Sequence, residues 1–168
     1  MKKLLLAALL LAGLVAPTIS CELTAGPGAA IRLSEGKSGG SFSVGCIFGE
    51  KWELRAHYFG EQRIYDGQLA IDGYAALSAS KLWAFRDGRR VRPILGVGLM
   101  VKESQRCHFD GDVDCNRITP LPFCFLASAG LKLGDVYLSL NHCSNASLDK
   151  GPEKKNLGQD FLRAEVWF

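Results

Sequence analysis

The sequence predicts an all-β fold: an eight-stranded antiparallel transmembrane β-barrel of the bacterial outer membrane. Three observations lead there. Polar and apolar residues alternate through most of the chain, the period-two signal of strands. The connections between these segments are short and long in turn. An export leader precedes them all. An outer-membrane barrel requires this combination: an apolar belt outside, a polar interior, short periplasmic turns and longer outer loops.

The leader comes first. In "MKKLLLAALLLAGLVAPTISC", two lysines precede an apolar run from Leu4 to Ala16, and small residues follow. This is a secretory signal peptide, too short and wrongly flanked for a spanning helix. Cleavage after Ser20 gives a signal peptide over 1–20 and a barrel over 21–168, with Cys21 as the first mature residue. Lipid modification of Cys21 stays open, although Thr18 stands where lipoprotein leaders usually carry leucine. The mature part is about one domain long and has no apolar run that would make a membrane helix.

Eight strands follow, at 28–35, 40–48, 51–60, 67–85, 91–103, 121–132, 135–146 and 158–168. In 51–60, Trp52, Leu54, Ala56 and Tyr58 share one face and Glu53, Arg55 and His57 the other. In 67–85, Lys81 falls on the lipid-facing parity unless a bulge shifts the register. In 91–103, Val91, Leu95, Val97, Leu99 and Val101 oppose Arg92, Gly96, Gly98 and Lys102. "LGVG" at 95–98 precedes no helical pattern, so it is not a phosphate loop; its glycines thin the barrel interior. In 158–168, Leu162, Ala164, Val166 and Phe168 oppose Arg163 and Glu165. Arg32, Glu53, Arg55, Arg92, Arg163 and Glu165 are expected to point inward and pair, with His57 among them beside Glu53 or Arg55. Eight strands make a narrow barrel filled by side chains. Each strand alone also fits a soluble exported barrel.

The formal net charge of +3 comes from scattered basic residues with no aromatic-basic stripe. Nucleic acid is therefore not an expected partner. Six cysteines in an exported chain invite disulfides, and no pair has zinc-site spacing. Cys107 and Cys115 share one outer loop and can staple it. If Leu133 and Gly134 form a two-residue turn, Lys132 faces Asp135 and Cys124 lies opposite Cys143 on the inner face, close enough to bond. In the other reading Cys124 and Cys143 are free fillers, and Cys46 is unpaired on the lipid face.

Chemistry concentrates in "SLNHCSNAS", residues 139–147. His142 and Ser144 share the parity of Val136, Leu138 and Leu140, so a polar pair faces lipid, which is costly without a partner or purpose. Asp160 shares the parity of Leu162 and Phe168 on the last strand. With Val136 opposite Phe168, Ser144 falls opposite Asp160 and His142 opposite Leu162. Serine, histidine and acid then meet on one outward surface, as nucleophilic acyl transfer requires. The bare H-x-S-N block is a weak motif, and the parity of Asp160 strengthens it.

"LSLNHCSNAS…NLGQD" followed by a final aromatic strand resembles the C-terminal third of the lipid A 3-O-deacylases of the PagL type. "LRAHYFGEQRIYDG…DGYAALSASKLW" resembles related acyloxyacyl-hydrolase-like outer-membrane proteins. The likeness spans most of the mature chain, and only the H-x-S-N block is specific. It implies an outer-membrane barrel that hydrolyses the ester-linked 3-hydroxyacyl chain of lipid A without metal or cofactor. It implies His142 as general base, Ser144 as nucleophile, Asn145 near the oxyanion and Asp160 as the orienting acid. The family carries glutamate where this chain has Asp160, and an aromatic where it has Cys143. Glu153 and Asn156 are the other candidates for orienting His142. Asn156 would match outer-membrane phospholipase A, whose barrel has more strands than this chain can make. The implied partners are lipopolysaccharide, through its lipid A, and other outer-membrane lipids, with Lys150, Lys154 and Lys155 available to lipid A phosphates. A homodimer is neither demanded nor forbidden. A phospholipase-like esterase and a non-catalytic structural or adhesive barrel are the competing functions.

Overall fold

A computed structural model describes residues 20–32, 37–49, 51–64, 69–85, 91–103, 107–109, 122–144 and 159–168. Its strands are β1 (Cys21–Arg32), β2 (Lys37–Phe48), β3 (Trp52–Phe59), β4 (Gln62–Ile64), β5 (Leu69–Ile71), β6 (Tyr74–Ala84), β7 (Val91–Lys102), β8 (Cys107–Phe109), β9 (Phe123–Leu133), β10 (Val136–Ser144) and β11 (Gln159–Trp167). Eight of them close into an antiparallel barrel in the order β1-β11-β10-β9-β7-β6-β3-β2. The remaining three, β4, β5 and β8, form a small sheet from segments of two long connections. Closure removes every sheet edge from the wall. It is sealed where the chain ends: the Phe168 amide donates to the Leu23 carbonyl at 2.8 Å.

Several strand boundaries move by one to three residues from the sequence reading, and two assignments differ more. The first strand begins at Cys21 instead of 28, because Gly26, Pro27 and Gly28 hide the alternation. Pro27 lacks an N–H, and the β1–β11 ladder skips Gly26 and Pro27 between Ala25↔Val166 and Gly28↔Arg163. The segment 67–85 is two strands: Leu69–Ile71 joins the small sheet, and Asp72-Gly73, a turn pair, precedes the barrel strand from Tyr74.

Alternation decides what faces where. Leu23, Phe42, Val44, Leu54, Leu95 and Leu138 are among many large apolar side chains left exposed on the outer wall. A continuous apolar belt of this kind would not stay in water, so the wall is built for hydrocarbon. Lys81 does lie outward, without a bulge in its pairing to Trp52 and Val97. Its ammonium sits 5.8 Å from the Trp52 ring centroid and 5.4 Å from that of Trp83. An aromatic rim with a snorkelling cation marks the short-turn end of the wall.

The interior is filled in layers. At the short-turn end, Ile47, Leu82, Ile94, Tyr137 and Trp167 cluster. At the long-loop end, Phe59, Tyr74, Met100, Leu126 and Phe161 pack with Cys124 and Cys143. Between them lies a charged layer. Arg55 donates to Glu165 Oε1, to Glu53 Oε1 at 2.7 Å and to Thr24 Oγ1 at 2.7 Å. Arg163 Nη1 stands 3.7 Å from Glu53 and 3.8 Å from Glu165. Two guanidiniums and two carboxylates thus neutralise one another, as buried charges must. Gly45 makes room for this layer: a Cβ there would lie 2.8 Å from Arg55 Cζ. Gly98 is as tight, its added Cβ lying 2.7 Å from Ser80 Cα.

Arg92 is half-buried, and the side chain of Arg32 lies outside the described residues. His57 is interior as expected, but its partner is neither Glu53 nor Arg55. Its Nε2 is 2.9 Å from Ser78 Oγ, and its ring stacks on Phe59.

Two disulfides join described cysteines. Cys124 bonds Cys143 on the inner face. Cys21 bonds Cys46 at the short-turn end, so Cys46 is not unpaired and the Cys21 sulfur is not open to a lipid thioether. Cys115, the expected partner of Cys107, lies outside the described residues.

Candidate active site

β10 and β11 carry the outward polar residues, and their register sets the geometry. The β9–β10 hairpin turns at Gly134-Asp135, with Leu133 paired to Val136. Gly134 has φ +61°, a conformation glycine adopts without strain. The expected turn at Leu133-Gly134 would have placed leucine first in a tight hairpin loop, a position where such turns need φ > 0. On the other side, Val136 pairs with Val166, not Phe168. The whole β10–β11 register is therefore moved by one outward step from the sequence reading. His142 faces Asp160 directly, and Leu140 faces Leu162.

This register brings histidine and acid into contact. His142 Nδ1 and Asp160 Oδ1 are 2.8 Å apart. The side chains are 51% and 21% exposed, so the pair lies on the outer wall. A carboxylate on Nδ1 favours the tautomer with its proton there, leaving the Nε2 lone pair to accept from a hydroxyl. Ser144 is two residues further along β10, on the same face and half-buried. Two strand residues span roughly 7 Å between Cα atoms, a distance an imidazole and a hydroxymethyl can bridge. Asn145, Glu153 and Asn156 lie outside the described residues, as do Lys150, Lys154 and Lys155.

The surroundings are apolar. Across β9, His142 faces Ala127 and Ser144 faces Phe125. One outward step below the pair, at Leu140 and Leu162, begins a groove of about 830 Å³ in the wall. Ala29, Ala129 and Ala164 line it, and their small side chains leave the trough.

Two inward residues neighbour the site, of which sequence reasoning missed Gln159 and expected the bond of Cys143. Gln159, next to Asp160, accepts a hydrogen bond from Tyr74 across the barrel. Cys143, between His142 and Ser144, is tied to Cys124 although its ladder partner is Leu126. The diagonal bond keeps a Cα–Cα distance of 5.6 Å, within disulfide range. Inward parity was the available signal for Gln159; no sequence spacing marks Tyr74 as its partner.

Fold and belt define the class: a small membrane-spanning barrel of the outer-membrane type. Two solved structures agree. The chain is similar to Neisserial surface protein A (NspA), with TM-score 0.50 and 16% identity over 88% of this chain and 94% of that one. It is similar to the outer membrane enzyme PagL, also with TM-score 0.50, at 19% identity over 88% of this chain and 98% of that one. No protein-family profile matches the chain, and no curated protein sequence does.

Proposed function

We propose that this chain is an outer-membrane esterase, a lipopolysaccharide 3-O-deacylase that removes the ester-linked 3-hydroxyacyl chain of lipid A. The observation that carries the reading is the 2.8 Å contact of His142 with Asp160 on a wall whose outward side chains, Lys81 at the opposite rim apart, are mostly apolar. A polar pair facing hydrocarbon needs a purpose, and a serine of the same parity stands beside it.

In this reading Asp160 holds the Nδ1–H of His142, and His142 Nε2 takes the proton of Ser144. Ser144 Oγ attacks the ester carbonyl and forms an acyl-enzyme, and His142 returns the proton to the departing sugar oxygen. Asn145, or a backbone N–H, stabilises the oxyanion. Water then releases the 3-hydroxy acid, with His142 again as base. The acyl chain lies in the alanine-lined groove below the pair, so the substrate is taken from the leaflet at the long-loop end. That location is the lipopolysaccharide-bearing outer leaflet if the chain is exported through its leader over 1–20.

Mass spectrometry of lipid A from cells expressing the protein tests this. Wild type should yield lipid A lacking one 3-hydroxyacyl group, and Ser144→Ala should leave it intact. Unchanged lipid A with a folded wild-type barrel overturns the reading. The fold, shared equally by TM-score with Neisserial surface protein A and with PagL, also fits a second reading as a non-catalytic barrel. It predicts that Ser144→Ala and His142→Ala alter no lipid.

A further inference from the structure

We infer that the Cys124–Cys143 disulfide is a positioning element that fixes the end of β10, and with it His142 opposite Asp160, from inside the barrel. Its catalytic consequence rests on the function proposed above, but the geometric role does not.

The pair sits where two strands run out. β10 ends at Ser144, the last rung to β9, and its last rung to β11 is Cys143↔Gln159. Asp160 is only the second residue of β11. Terminal rungs open most easily, so backbone pairing alone would let the histidine and the acid drift apart. Side chains on a strand alternate strictly, so anchoring one residue inward fixes its neighbours outward. Behind His142 that anchor is Cys143, only 2% exposed and bonded to Cys124 on β9. Behind Asp160 it is Gln159, bonded to Tyr74. The sulfur bridge lies in the same apolar layer as Phe59, Met100, Leu126 and Phe161. The covalent tie is the one that residue exchange on β10 cannot slip.

The molecule supplies its own control. Cys21–Cys46 closes a loop of sequence separation 25, against 19 for Cys124–Cys143. Loop-closure stabilisation depends only logarithmically on that length, so the two bonds constrain the unfolded chain almost equally. Only one of them stands behind the site.

The test uses the mature barrel refolded in detergent micelles, its folded state checked by heat-modifiable migration. Nitrogen-15 histidine resonances are compared among wild type, Cys124→Ala/Cys143→Ala and Cys21→Ala/Cys46→Ala, with His142→Ala assigning the signal. Wild type and the Cys21/Cys46 variant should both show a His142 ring protonated at Nδ1 and hydrogen-bonded. The Cys124/Cys143 variant should show averaged tautomers and, with lipopolysaccharide as substrate, at least a tenfold lower kcat with KM within twofold. Cys124→Ser breaks the bond at nearly constant volume and gives the same comparison should the alanine pair not fold. An unchanged Nδ1–H signal in the folded Cys124/Cys143 variants overturns the inference. A wild type that shows the signal but no hydrolysis refutes the proposed function alone.

Discussion

Asp160→Asn separates an orienting acid from a spectator. The substitution keeps shape and volume and removes the charge that the His142 Nδ1–H meets at 2.8 Å. An amide can present its NH2 to the ring and favour the wrong tautomer, with the Nε2 proton facing Ser144. The charge-assisted hydrogen bond is worth about 1.5–3 kcal/mol. With His142 half-exposed, the contact is not in a sealed interior. The lost bond alone then corresponds to a fall of roughly 10- to 150-fold in kcat/KM. The assay is release of 3-hydroxy fatty acid from lipopolysaccharide micelles by purified variants. Because Asp160 is outward and partly exposed, folding should be unaffected, and heat-modifiable migration should match wild type. A rate within twofold of wild type would refute the assignment of Asp160 and return the orienting role to Glu153 or Asn156.

Three further outcomes follow from the wall and the interior. Arg55→Met leaves Glu53 and Glu165 short of a partner and should cost about 3–5 kcal/mol in denaturant unfolding from vesicles. Leu140→Arg, at the middle of β10, should destabilise the inserted barrel by about 2–4 kcal/mol, whereas Leu133→Arg, at the hairpin, should cost no more than about 1 kcal/mol in the same unfolding assay. Lys81→Met removes a cation seated against Trp52 and Trp83; at the aromatic rim the change in stability should stay within about 1 kcal/mol, measured the same way.

The parity of the strands was legible in the sequence, and the register was not. Parity depends only on period two. It correctly put Arg55, Glu53, Arg163 and Glu165 inside and His142 outside with Leu138 and Leu140. Register is set pair by pair: the hairpin turn fixes β9 against β10, and the pairing at the short-turn rim fixes β10 against β11. Taking Leu133-Gly134 as the loop placed Cys143 opposite Cys124, whereas the turn at Gly134-Asp135 puts it opposite Leu126. Taking Val136 opposite Phe168 placed Ser144 opposite Asp160, whereas its pairing with Val166 puts His142 there. The Gly-Asp pair carried the β9–β10 register, since a tight hairpin favours glycine first in its loop. The split of 67–85 was signalled in the same way by Asp72-Gly73. The Cys124–Cys143 bond was expected from a register that does not hold, and it forms diagonally because disulfide geometry tolerates the offset. The link from Tyr74 to Gln159 crosses the barrel, and local sequence carries no trace of it.

In the function proposed above, an outward Ser144, His142 and Asp160 hydrolyse an ester. The most direct test incubates purified, folded barrel with purified lipopolysaccharide in detergent and measures free 3-hydroxy fatty acid. Wild type should release it and Ser144→Ala should not. Release that persists undiminished in Ser144→Ala, or none from folded wild type, would contradict the claim.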